Sequence, residues 1–259
     1  MVDLSTPIRI GGVTDMSTVD WYSNVSLVVF WAGCNIRCPY CHNSLLIPVD
    51  SGTLVDLAYL EDRLQKAMYP IPSLDAVVFT GGEPLMQVDA VIEAAKLVKT
   101  HGLKLMLDTN GTLYEAAEKA LNTGLFDRVA LDVKSPLTPE AFGKLSQVTE
   151  VAEKYAEGIL KVIKLCNELD IPIEARTTVA PGVSDGEEYI REIAQAIKGK
   201  IEVYYLQQFD NQGDVLDPEL KKKDPTEKEL LIKLANIALS EGVSPVYIKT
   251  RFEGLEQIK

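Results

Sequence analysis

SLVVFWAGCNIRCPYCHN, residues 26–43, joins an apolar run to three cysteines set C-x3-C-x2-C: Cys34, Cys38 and Cys41. The apolar half, residues 26–32, reads as a strand covered on both faces, as parallel strands under helices are. Similar runs recur at 75–80, 103–109, 128–134, 172–179 and 201–207, and 244–250 adds a further strand. Helical stretches lie between them. Val88, Val91, Ile92 and Ala95 fall on one helix face, and Gly102 supplies a stop. Ser184 with Glu187 forms a capping-box pattern ahead of Ile190, Ile193, Ala194 and Ile197. Thr138-Pro139-Glu140 and Asp224-Pro225-Thr226-Glu227 each open a helix with a cap and a proline. LKKKD, 220–224, reads as a solvated turn.

The βα alternation, repeated about six times without a linker, predicts one α/β domain over 1–259. A lead-in covers 1–25, the core 26–210, and a C-terminal helix with an extra strand 211–259. The parallel sheet is expected to be open and doubly wound, or curled into a full or partial barrel. In either case chemistry collects at the carboxyl ends of the strands.

The formal charge of −12 disfavours a nucleic-acid partner and an anionic membrane surface. MVDLSTPIRI lacks a basic segment followed by an apolar one, so no secretory signal is expected. The expected setting is cytoplasmic and reducing. There, clustered cysteines more often bind metal or do redox chemistry than pair as disulfides.

Pro39 removes a backbone donor, and with Gly33 it argues for a loop rather than a helix through the cysteines. Zinc with His42 as fourth ligand is one reading, although structural zinc usually draws on two separated ligand pairs. A four-cysteine iron–sulfur cluster needs another thiol. The remaining one, Cys166, shares a helix face with Ile159, Val162 and Ile163 and reads as core. Three ligands leave a four-iron cluster one open iron.

With Tyr40 ahead of its last cysteine, this loop resembles the signature of the radical S-adenosylmethionine (SAM) superfamily. Thr80-Gly81-Gly82-Glu83-Pro84, after the second core strand, resembles that family's GGEP motif. Taken alone it is also a turn that starts a helix. Asp108-Thr109-Asn110-Gly111 and Asp132-Val133-Lys134 end the next two core strands. The D-x-K pattern and the CHN flank are similar to the activating enzymes of glycyl radical enzymes. The chain is most similar to the anaerobic ribonucleoside-triphosphate reductase activating proteins. That likeness takes in YYLQQF (204–209) and LDP (216–218) as well.

The resemblance implies a partial (β/α)6 TIM-like barrel of parallel strands, radical SAM in type. It implies a [4Fe-4S] cluster on Cys34, Cys38 and Cys41, whose open iron takes SAM. The SAM contacts implied are Tyr40, Gly81, Gly82, Glu83, Pro84, Asp108, Asn110, Asp132, Lys134 and Arg176. In some relatives a monovalent cation joins them, for which Thr109 is a further candidate. The expected chemistry is reductive cleavage of SAM to a 5′-deoxyadenosyl radical, with the electron supplied by flavodoxin or ferredoxin. The radical then takes hydrogen from a glycine of a glycyl radical enzyme, an anaerobic ribonucleotide reductase being the expected partner. No acid–base residue is required and none is assigned. The alternatives are a radical SAM enzyme acting on a small molecule or RNA base, and an iron–sulfur or zinc protein without SAM chemistry.

Overall fold

A computed structural model describes residues 2–69 and 74–259. The chain divides into two compact units. The first takes most of its residues from the N-terminal half. It holds β1 (Pro7–Ser17), β2 (Ser26–Trp31), β3 (Thr53–Asp56), α1 (Leu57–Met68), β4 (Ala76–Gly81), α2 (Val88–Thr100) and β5 (Lys104–Thr109). Most of α3 (Tyr114–Leu121) belongs to it as well. Its strands run in the order β5-β4-β2-β1-β3. β2, β4 and β5 pair in parallel, while β1 pairs antiparallel with both β2 and β3.

The second unit holds the end of β6 (Arg128–Asp132), then α4 (Pro139–Ser146), α5 (Ala152–Glu168), β7 (Ile173–Val179), α6 (Glu187–Ile197) and β8 (Val203–Gln208). It closes with α7 (Pro218–Lys221), α8 (Lys228–Ser240), β9 (Val246–Thr250) and β10 (Gly254–Ile258). Its strand order is β10-β9-β8-β7-β6. β7, β8 and β9 are parallel, and β10 turns back antiparallel on β9.

The protein is thus an α/β fold with a mostly parallel sheet, as the alternation predicts. Every strand read from an apolar run is present, including β9. Leu27, Val28, Val29, Val77, Val78, Phe79, Leu105 and Leu107 are fully buried, as helix-covered strands require. Among the described residues no helix is long and apolar enough to cross a membrane.

Several local expectations are corrected. The lead-in forms β1, hidden by Gly11 and Gly12, which lower strand propensity and sit at a register shift against β2. Ser184 does not cap α6. Its hydroxyl accepts from Ala180 N–H and donates to Thr178 C=O, and Gly186 stands at the N-cap. Likewise α8 starts at Lys228, three residues after Pro225, because Thr226 is drawn into the core to donate to Val179 C=O. LKKKD is partly helical: α7 runs through Lys221, and Leu220 is buried. Thr138 does cap α4, accepting from Ala141 N–H with Pro139 behind it.

Candidate functional site

In the first unit, β4 runs straight into Gly81-Gly82-Glu83-Pro84. Gly81 has φ +124°, and a Cβ there would strike the backbone of Trp31; one at Gly82 would strike Gly33 C=O. The glycines therefore let the strand end lie against the chain leading to Cys34. Two bonds fix it there: Gly82 N–H to Trp31 C=O at 2.8 Å and Glu83 N–H to Gly33 C=O at 2.7 Å. Cys34 N–H in turn donates to Ile47 C=O at 3.0 Å. The Glu83 carboxylate is fully buried. It caps the turn at Pro84 by accepting from Leu85 N–H at 3.1 Å, and it also accepts from the Thr109 hydroxyl at 2.8 Å. Asp108 and Thr109 close β5, with Thr109 buried and Asp108 half-buried.

In the second unit, the loop carrying Cys38, Tyr40 and Cys41 is not helical. Cys41 N–H turns back on Cys38 C=O at 3.0 Å. β6 ends at Asp132, so Lys134 stands two residues beyond the strand, its Nζ 2.7 Å from Asp132 Oδ2. Burial pulls the Lys134 ammonium down. Asp132, Cys38 and Cys41 outweigh burial and hold its pKa far above the ordinary lysine value. Burial pushes the Cys41 thiol up, while the Asn43 backbone N–H and Lys134 pull it back. Tyr40 is buried, and its hydroxyl has no hydrogen-bond partner among the described residues. Burial, then the neighbouring Cys38, Tyr189, Asp132 and Cys41, raise its pKa. Asn110 closes a turn, its Oδ1 accepting from the Thr112 N–H and hydroxyl. Arg176 is paired with Glu174, Nε to Oε1 at 2.7 Å, with both side chains mostly buried.

None of the four cysteines is in a disulfide. Cys166 is fully buried on α5, as its helix face predicts. The His42 ring packs edge-on against Phe209, 5.8 Å between centroids. Among the described residues, no group of three or more His, Cys, Asp or Glu stands close enough to hold one metal ion. A multi-iron cluster differs in this respect, since each of its ligands binds a separate iron. A cavity of about 280 Å³ lies at the opposite ends of β7 and β8, lined by Cys166, Pro172, Gly199 and Lys200 among others. None of the motif residues lines it.

Residues 28–197 match the profile of the radical SAM superfamily. The chain belongs to the radical SAM superfamily. A protein of Methanocaldococcus jannaschii provisionally named a glycyl-radical enzyme activating enzyme is 36% identical over 242 residues, 93% of this chain and 95% of its own. The pyruvate formate-lyase-activating enzyme of Clostridium pasteurianum is 29% identical over 194 residues, 73% of this chain and 76% of its own. Among solved structures, a radical SAM methyltransferase from Sphaerobacter thermophilus shares the fold with a TM-score of 0.68 at 15% identity. The match covers 90% of this chain and 68% of that one.

The donor set fits what a radical SAM enzyme must hold. Cys34, Cys38 and Cys41 are unbridged, and Lys134 offers a fixed positive charge beside two of them. The orphaned Tyr40 hydroxyl is the kind of buried group that a ligand satisfies. Two contributors escape a reading of the sequence. Glu174 is signalled only by its i, i+2 relation to Arg176, which puts both on one strand face. Tyr189, on α6, donates from its hydroxyl to Lys134 C=O at 2.8 Å. A helix residue so far along the chain from its partner carries no sequence signal of that bond.

Proposed function

We propose that this radical SAM enzyme holds a [4Fe-4S] cluster on Cys34, Cys38 and Cys41, binds SAM beside it, and generates a glycyl radical on a partner enzyme. The observation that carries the reading is three cysteines outside any disulfide, set C-x3-C-x2-C on a non-helical loop, while the fourth cysteine is spent in the core. When bound, the cluster supplies the electron that splits the SAM sulfonium and yields a 5′-deoxyadenosyl radical.

The protein's own residues bind and orient. Lys134, permanently charged and held by Asp132, offers the SAM carboxylate an ionic partner. Arg176, fixed by its pair with Glu174, is the second cation offered to a carboxylate or ribose oxygen. Gly81 and Gly82 bare the backbone at the end of β4, where the amino end of the methionine moiety would approach. Asp108 and Thr109 are the candidates for a monovalent cation. The activase role draws support from the likeness to the M. jannaschii protein, which covers 93% of this chain and 95% of that one. In this reading the partner is a glycyl radical enzyme of the anaerobic ribonucleotide reductase type, and the donor is reduced flavodoxin or ferredoxin.

Anaerobic protein reconstituted with iron and sulfide, then given dithionite and SAM, is expected to release 5′-deoxyadenosine; Cys38→Ala protein should release none. Equal yield from the two would remove the cluster assignment. Added reductase partner should develop a glycyl-radical signal in electron paramagnetic resonance. Turnover of isolated RNA or a metabolite in its place would move the protein to another radical SAM reaction.

A further inference from the structure

The C-terminal part of the second unit reaches back to the cysteine loop through a segment that the proposed chemistry leaves unused. After β8 the chain passes Phe209, whose ring meets His42, and returns at Asp214 to run beside the loop. Asp214 forms a parallel bridge with Asn43, and its carbonyl accepts from the Ser44 hydroxyl at 2.5 Å. Leu216 N–H donates to Cys41 C=O at 3.1 Å, and Asp217 N–H to Pro39 C=O at 2.9 Å. Val215 between them is buried. Asp217 is fixed in turn, because its Oδ1 accepts from Glu219 N–H at 2.9 Å and caps α7, with Pro218 at the first helical position. The LDP motif thus anchors one end of a strap.

We propose that residues 209–218 form a strap that positions Cys38 and Cys41, with Asp217 and Ser44 as its positioning residues. The inference rests on the cluster reading above. A loop without helical or sheet bonds of its own must take its backbone partners from elsewhere. Here the carbonyls of Pro39 and Cys41 take theirs from the strap. The strap holds the two thiols near their binding geometry and lowers the ordering cost of binding.

Asp217→Ala deletes the cap, whereas Asp217→Asn retains a capping side chain. Ser44→Ala removes the other anchor at a half-buried site that does not threaten folding. In reconstituted protein, Asp217→Ala and Ser44→Ala are expected to lose iron to a chelator about fivefold faster than the parent, the factor equivalent to a cap of about 1 kcal/mol. Asp217→Asn should stay near the parent, and all three variants should keep a single cooperative urea transition. In the metal-free chain, the Leu216 and Asp217 amides should be protected from hydrogen exchange and lose protection in Asp217→Ala. Iron loss at the parental rate in both alanine variants, or equal loss from Asp217→Ala and Asp217→Asn, overturns the strap. If the parent takes up no cluster, the reading it rests on fails. The exchange experiment then judges the strap alone: unprotected parental amides overturn it, and protection lost in Asp217→Ala upholds it.

Discussion

Tyr40 shows what one buried hydroxyl implies. A phenol without a partner costs about 1–3 kcal/mol against a satisfied one, and a fold keeps such a group where a ligand completes it. Tyr40→Phe should therefore stabilise the ligand-free chain by about 1 kcal/mol in urea unfolding. A loss of stability instead would mean that the hydroxyl is already satisfied. Cys166 is the opposite case. Burial pushes its thiol up to about 12 from an ordinary 9, so the folded state favours the neutral form. Its contribution to stability is complete below pH 9. It drains away as pH rises towards 12, because the unfolded chain releases the proton first. Unfolding stability measured across that window should fall less steeply for Cys166→Ala than for the parent; parallel curves would contradict the assignment.

At the scale of elements, the sequence is legible wherever one signal dominates. Strands β2, β4, β5, β6, β7, β8 and β9 announce themselves as apolar runs because both faces are covered. Thr138 reads correctly because nothing competes for its hydroxyl. Ser184 misleads because Thr178 C=O takes the side chain that local pattern gives to a cap, and the start at 224–227 misleads because Val179 C=O draws Thr226 into the core. β1 escapes notice because Gly11, Gly12 and Asp15 mask its alternation. The site divides in the same way. Cysteine spacing and the strand-end motifs are visible, whereas Glu83 and Asn110 prove to be engaged in bonds within their own turns. The β4 end gives a sharp test. Gly81→Ala adds a Cβ at φ +124° against the Trp31 backbone, so a loss of about 3 kcal/mol is expected in chemical denaturation. A variant as stable as the parent would show that the glycine is not demanded by the backbone.

For the whole molecule, the four thiols divide by exposure. Cys34 and Cys41 are partly exposed, while Cys38 is buried on an irregular loop and Cys166 is sealed inside α5 packing. Alkylation of native protein followed by mass mapping should modify Cys34 and Cys41 first and spare Cys166 until denaturant is added. Modification of Cys166 first would mean that α5 opens more readily than its burial allows. The charge of −12 leaves the protein a poor electrostatic match for phosphate backbones, and titration with RNA should give at most weak, salt-sensitive binding.

The grip of 214–217 on the cysteine loop is made largely by peptide groups, and the exposed tip at Gln212 and Gly213 takes no part in it. Selection can therefore rewrite that tip freely so long as the two anchors stay in register. An epitope or a fluorescent reporter spliced between those two residues would mark the molecule beside its cysteine loop and leave the anchors in place.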